Sequence, residues 1–236
     1  MAVRPRRLDC MDIIKRDIDI ESVIEEMRKQ NVSTAVIRRL PRYYRHLNEL
    51  DRAGMVRISS SALGRSMGLT ASQIRQDLSC FGEFGQQGYG YNVGTLLREV
   101  MEILGMDRGH TAVLAGVGNL GRALIENFDF TWSGFQLKAA FDVRPEIVGQ
   151  IIAGTPIFHV DQLENYLKEH PASVGVLTVP RSIAVETAER MIRSQVKGIW
   201  NFTNMDLNIH EPGIVVEDVH FSDSLQTLSY LISEEA

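Results

Sequence analysis

Three glycines and one aspartate carry the clearest chemistry in the chain. Gly116-x-Gly118-x-x-Gly121 sits inside TAVLAGVGNLGRALIENF, residues 111–128, after an apolar run and before a helix-like one. A phosphate-binding strand–turn–helix needs that order. Gly116 suits the tight turn. Gly118 lets backbone N–H groups approach a pyrophosphate with no Cβ in the way, and Gly121 lets the helix lie close on the strand. The helix N-terminus, with Val117, Asn119 and Leu120 around it, then offers unpaired N–H groups and the positive end of its dipole to the anion. A second apolar run, Leu137 to Phe141, ends in Asp142, 21 residues past Gly121. A ribose-binding acid belongs there. Together these residues predict a dinucleotide site. Asp142 would repel a 2′-phosphate, and Arg144, two residues on, works against that.

The elements downstream fit such a site. Strand-like runs at Ile157–Phe158, Val174–Val179, Gly198–Asn201 and Val215–Val219 alternate with helical patterns at 161–168 and 182–194. That alternation predicts a Rossmann-like parallel, doubly wound sheet. Its ligand crevice lies at the carboxyl ends of the strands, which brings Thr178, Pro180, Asn201 and Phe202 near the cofactor by topology. A last helix, Ser222 to Ser233, carries the apolar stripe Leu225, Leu228, Leu231 and Ile232. Such a stripe needs a partner surface, on its own sheet or on another subunit.

Upstream the chemistry is different. Ser33 is a plausible N-cap for a helix to Ala53, with Val36, Ile37, Leu40, Tyr44, Leu47 and Leu50 on its apolar face. Pro41 should kink or divide it, and Arg38, Arg39, Arg42 and Arg45 project from the other sides. After an extended piece at 56–58, Ser59 to Ser61 cap a short helix with Leu63 and Met67 inward, closed by Gly68. Thr70-Ala-Ser-Gln73 has the form of a capping box and opens a helix to about Phe81 that buries Ile74 and Leu78. Ser72, Gln73, Arg75, Gln76 and Ser79 face away. This is a helix-turn-helix pattern, and its second helix carries residue types that bridge phosphates and read base edges. A small helical bundle with a solvated polar face would show the same spacing. Gly82 to Asn92, glycines interleaved with aromatics, reads as a hairpin or wing. A helix from Val93 to Met106 leads on to a domain boundary near 107–110.

Bulk properties set outer limits. The chain has 236 residues, 44% apolar and 23% charged, ordinary for a globular protein of one or two domains. Net charge is −5 overall, yet residues 31–92 carry +4 and residues 93–236 carry −9. That asymmetry suggests two domains with different partners. No window has the roughly 18 consecutive apolar residues of a membrane span, and Arg4, Arg6 and Arg7 have no apolar core behind them, so no membrane partner or secretory signal is expected. The two cysteines, Cys10 and Cys80, lack metal-ligand spacing and suit a reducing cytoplasm. No metal site or catalytic residue is expected.

SQIRQDLSCFGEFGQQGYGYNV (72–93), GVGNLGRAL, LTVPR (177–181) and Asn201-Phe202 together resemble the Rex family of redox-sensing transcriptional repressors, over about residue 33 to the end. The resemblance implies an N-terminal winged helix-turn-helix domain (33–107) and a Rossmann NAD(H)-binding domain (108–220). It also implies a swapped C-terminal dimerisation helix (221–236), behind an extension (1–32) without a recognised counterpart. It implies a homodimer on double-stranded operator DNA, released by NADH, while NAD⁺ competes without releasing it. Carried over, Ser72, Gln73, Arg75 and Gln76 face the major groove, and Gln87, Gly88 and Tyr89 form the wing tip. Gly116, Val117, Gly118, Asn119, Leu120 and Gly121 bind pyrophosphate, Asp142 the adenosine ribose. Thr178 and Pro180 line the crevice, and Phe221 enters the partner's nicotinamide pocket. Gln76 stands where some relatives have lysine. Asn127 and His220 stand where some have a tyrosine and an aspartate, and His220 would add pH dependence.

Other readings compete. A dehydrogenase needs an acid–base arrangement, and the cleft-forming loops show no His–carboxylate or Tyr-x-x-x-Lys arrangement suited to hydride transfer. A CoA- or nucleotide-binding module would share the Rossmann half but would not need residues 59–92. Cys80 as a thiol sensor is weaker, since a lone cysteine on a helix is usually core.

Overall fold

The computed structural model describes residues 32–86 and 88–234. The expected extension, Val32 excepted, and the wing residue Gln87 lie outside the described residues. The chain forms two compact units and passes from one to the other between Leu104 and Gly105.

In the first unit, α1 (Thr34–Arg52) starts where Ser33 accepts a hydrogen bond from the Val36 N–H and buries Val36, Leu40, Tyr43, Tyr44 and Leu47. Ile37, expected inside, is exposed, and Tyr43 takes the buried place. Pro41 does not divide the helix. The carbonyl it deprives of a donor belongs to Ile37, an exposed residue, so water can take over that bond. Ser59 caps α2 (Ser60–Met67), and Gly68 closes it in the left-handed conformation. Thr70 caps α3 (Ala71–Ser79) by accepting from the Gln73 N–H. α2 and α3 meet at Gly64, where a Cβ would lie 2.5 Å from Leu69 O. β1 (Arg57–Ile58), β2 (Gly85–Gln86) and β3 (Gly90–Asn92) pair antiparallel in the order β1-β3-β2, so the glycine-rich stretch is a wing on the helices. Asn92 caps α4 (Val93–Ile103), which packs on α1. α4 stops short of Met106 because Gly105 takes a positive φ of 68°, which no helix accommodates.

The second unit is a sheet of seven strands among the described residues. These are β4 (His110–Ala115), β5 (Phe135–Asp142), β6 (Ile151–Ile152), β7 (Thr155–His159), β8 (Val174–Leu177), β9 (Gly198–Asn201) and β10 (Val215–Asp218). Their order is β10-β9-β8-β4-β5-β7-β6, all parallel except β6, which turns back on β7. β6 has two residues, too few to show a period in sequence. α5 (Asn119–Asn127) puts Ile125 on one face of the sheet, among Leu114, Phe130, Ile157 and Val176. α6 (Leu163–Glu169), entered through a 3₁₀ turn at Val160–Gln162, and α7 (Arg181–Arg193) cover the other face with Leu163, Leu167, Ala184, Ala188 and Met191. Arg190 and Glu164 join these two helices through bonds of 2.6 and 2.7 Å. α8 (Phe221–Glu234) buries none of its side chains, so it does not dock on its own sheet. Among the described residues no helix is long and apolar enough to cross a membrane.

Candidate functional site

The connections from β4 run right to β5 and those from β8 run left to β9, so the strand order reverses between β4 and β8. The crevice at that switch point is walled by the loops after the two strands. Gly116 has a φ of 93°, and a Cβ on it would meet Thr178 O at 2.7 Å. A Cβ on Gly121 would lie 2.0 Å from Gly116 O. Gly118 alone of the three has nothing within 4 Å of its Cβ direction, and it begins α5 with no side-chain cap. The three glycines thus serve a turn, an open approach and close helix packing. The first-turn N–H groups of Asn119, Leu120 and Gly121 face no intrahelical acceptor. Thr178 Oγ1 lies 2.6 Å from Gly116 O and 3.0 Å from Ala115 O, so its hydroxyl ties the two crevice loops together. Pro180, exposed, precedes α7, a second helix start without a side-chain cap.

Asp142 ends β5 and is buried. Its Oδ2 accepts the Val117 N–H at 2.7 Å, and its Oδ1 accepts the Arg144 N–H at 2.9 Å. The Arg144 guanidinium adds bonds of 3.0 Å to Oδ1 and 3.2 Å to Oδ2, and donates to Val117 O. Burial pushes the Asp142 carboxyl up. The Arg144 side chain and the N–H groups of Arg144 and Val117 outweigh burial and hold it below the usual carboxylate range. The acid is therefore ionised and built into the glycine loop.

The other crevice residues divide. Asn201 is 1% exposed, and its carboxamide is used by the protein. Nδ2 donates to Met205 O and Asp218 Oδ1, and Oδ1 accepts from the Thr203 N–H and hydroxyl. Any contact with a ligand would have to come from its backbone. Phe202 meets Trp200 edge to face, with ring centres 4.5 Å apart, and lies 6.2 Å from the ring of Phe221. Phe221, at the start of α8, is 58% exposed. Asn127 donates to Ala123 O within its own helix. His220 contacts Asn204 Oδ1 at 3.3 Å through Nδ1 and Asp206 Oδ1 at 2.9 Å through Nε2. His220 and Asp206 thus form a His–carboxylate pair that local spacing does not show. The partners are 14 residues apart in sequence, which hid them. Both ring nitrogens of His220 are engaged within the protein. Arg181 donates to Thr203 O and Asn204 O, so the loop after β9 is fixed from both sides.

In the first unit, Ser72, Arg75 and Gln76 are exposed on α3 and Gln73 is half-buried. Arg75 donates to Ser60 Oγ at 3.0 Å. At the wing, Gly88 has a φ of 82° and Tyr89 is 69% exposed. The Arg57 guanidinium lies 5.8 Å from the centre of the Tyr89 ring, close enough for a cation–π contact. Not all of the arginines on α1 point outward, as the sequence suggested. Arg39 makes a bidentate pair with Asp77 of α3, 2.7 Å on each side, and the Tyr43 hydroxyl donates to the same carboxylate at 3.0 Å. Burial, and then this bond, push the Tyr43 phenol up. Arg42 donates to Met67 O and His46 contacts Ser66 O, which satisfies carbonyls at the end of α2. Asp77 was missed although its signal is legible: an acid between Ile74 and Leu78 on a buried stripe must have a partner.

Family models match each unit separately. One described as "CoA binding domain" covers residues 107–205, and one described as "Putative DNA-binding protein N-terminus" covers residues 31–79. Whole-chain relatives cover both. The redox-sensing transcriptional repressor Rex of Clostridium beijerinckii is 47% identical over 207 residues, 88% of this chain and 98% of that one. Rex of Caldicellulosiruptor bescii is 47% identical over 208 residues, 88% and 95% of the two chains. The crystal structure of RSP with NAD⁺ and operator DNA matches with a TM-score of 0.81 at 46% identity, over 86% of this chain and 94% of that chain. RSP with NADH matches with a TM-score of 0.80 at 43% identity, over 87% and 96%.

Proposed function

Because this chain belongs to the Rex family of redox-sensing transcriptional repressors, we propose that it represses transcription by binding operator DNA as a homodimer and that NADH releases it. NADH and NAD⁺ are its regulatory ligands, and it reads their ratio in the cytoplasm. One observation carries this reading: the exposed polar face of α3 and the uncapped glycine-loop helix α5 occur in one chain. Relatives near 47% identity span both. A CoA- or nucleotide-binding module accounts for the second unit and leaves α2, α3 and the wing without a use.

On DNA, Ser72, Gln73, Arg75 and Gln76 enter the major groove and the wing tip, Gln87 to Tyr89, contacts the backbone. Glutamine and arginine side chains suit adenine and guanine edges. In the second unit, the glycine loop holds pyrophosphate and Asp142 the adenosine ribose, with Thr178, Pro180, Asn201 and the partner's copy of Phe221 completing the crevice. NADH and NAD⁺ differ by one charge at the nicotinamide. An apolar wall such as Phe221 disfavours the positive ring, since burying an unpaired charge is costly. NADH switches the protein only through its preference for the arrangement that does not bind DNA. Moving the equilibrium from 1:99 to 99:1 needs about 10⁴-fold preference.

The dinucleotide is a signal here and is not consumed. The test is an operator gel shift titrated with NADH and NAD⁺ in parallel, with absorbance at 340 nm followed in the same samples. Release by NADH and not by NAD⁺, at constant absorbance, is the expected result. Turnover of NADH would favour a dehydrogenase, and no shift with operator DNA would overturn the repressor reading.

A further inference from the structure

The adenosine end of the crevice differs from a site built only for an unphosphorylated ribose. In such a site the acid at the end of the second strand accepts the ribose hydroxyls, and its charge repels a 2′-phosphate. Here the positions around the carboxylate of Asp142 are already taken. Oδ2 holds the Val117 N–H and Arg144 Nη2; Oδ1 holds the Arg144 N–H and Nε. The acid's charge is paired, and it lies beneath the surface: the Asp142 side chain is 7% exposed and that of Arg144 is 44% exposed. An arriving ribose therefore meets a guanidinium first. The bonds to Asp142 and Val117 O use Nε–H and both Nη2–H groups, and the Nη1 pair is not among them. Arginine in this position is suited to a phosphate, which it binds through charge-assisted hydrogen bonds. Glu146, exposed two residues further on, is the nearby charge that works against it.

Resting on the dinucleotide reading above, we propose that Arg144 makes the crevice accept dinucleotides phosphorylated on the adenosine 2′-hydroxyl as well as unphosphorylated ones, and that this residue sets the preference between them. A 2′-phosphate takes the guanidinium as its counter-ion. An unphosphorylated ribose has to displace Arg144 from Asp142 before its hydroxyls can reach the carboxylate. The same side chain thus helps one ligand and hinders the other.

Titrating the full-length protein with NADH and with NADPH, followed by nicotinamide fluorescence, tests this. In the unaltered protein the two dissociation constants should lie within about tenfold of each other, the size of effect a paired charge can offset. Arg144→Ser should raise the NADPH-to-NADH ratio of dissociation constants by at least about tenfold, and Arg144→Lys should restore part of it, since lysine keeps the charge without the fork. The proposal is overturned if NADPH fails to bind where NADH binds, or if Arg144→Ser leaves the ratio unmoved. Failure of both dinucleotides to bind the unaltered protein would instead overturn the dinucleotide reading itself, and this proposal with it.

Discussion

Two buried carboxylates, one in each unit, show how a charge can be spent on shape. Asp77 is 2% exposed and satisfied by Arg39 and Tyr43, so it fixes α3 against α1 and with it the pitch of the exposed polar face of α3. Removing one partner of such a pair leaves an uncompensated buried group. Asp77→Ala should therefore destabilise the protein by about 3 kcal/mol, seen as a lower urea midpoint. Operator affinity should fall with it while NADH affinity holds. An unchanged midpoint would mean that the pair adds nothing to stability. Asp142 works on the glycine loop in the same way and, on the proposed function, also holds the adenosine ribose. Asp142→Ala should weaken both NADH and NAD⁺, because loop and ribose contact are lost together. Its carboxyl is held below the ordinary range, so its contribution to stability is present above the unfolded pKa of about 3.9 and disappears as pH falls through the lower folded value. Dinucleotide binding measured between pH 7 and pH 4 should consequently show no titration from this group. A midpoint near pH 5 assigned to Asp142 would contradict the geometry.

At the scale of elements, the order of helices and strands, the two-residue β6 apart, was legible because most of them announce themselves locally. Ser33, Ser59 and Thr70 do cap their helices, Gly68 does close α2, and the apolar runs became β4, β5, β8, β9 and β10. What stayed hidden depends on pairing at a distance. Tyr43 and Asp77 are 34 residues apart, Arg39 and Asp77 38, and no local period links them. Ile37 was misplaced because helical spacing cannot tell which edge of an apolar stripe meets its neighbour. The glycine loop was read from spacing alone, whereas the engagement of the Asp142 oxygens by Arg144 needed coordinates. Helix α3 gives a test of the proposed function at its own scale. Arg75 is exposed and rests on Ser60, so Arg75→Ala removes little from the fold. It should weaken operator binding by about 1–3 kcal/mol and relax preference at one base position, with NADH affinity unaltered. An unaffected gel shift would exclude α3 as the reading element.

The whole molecule has a helix with nowhere to go. Leu225, Leu228, Leu231 and Ile232 of α8 are each more than half exposed, and one short helix alone in water is marginal. The sheet face that carries α5 also has an open apolar hollow of about 380 Å³, lined by Phe128, Phe130, Val174, Val176 and Trp200 among others. Uncovered apolar surface of that kind calls for a partner. A second copy of this chain meets the requirement symmetrically, since each protomer offers and receives the same surfaces. The switch follows from that arrangement. On the proposed function, Phe221 at the head of α8 would sense the nicotinamide from the element that joins the protomers, so ligand identity would be felt as a change in the dimer. Phe221→Ala should then leave operator binding in place and move the NADH concentration needed for release upward, whereas an unchanged NADH midpoint would remove Phe221 from the switch. Leu228→Glu combined with Ile232→Glu makes the more severe test. It places two charges on the stripe and should halve the mass seen by sedimentation. Operator binding should be lost too, because a single winged helix gives up the second half-site. A double variant that still sediments as a dimer would show that α8 is not what holds the two copies together.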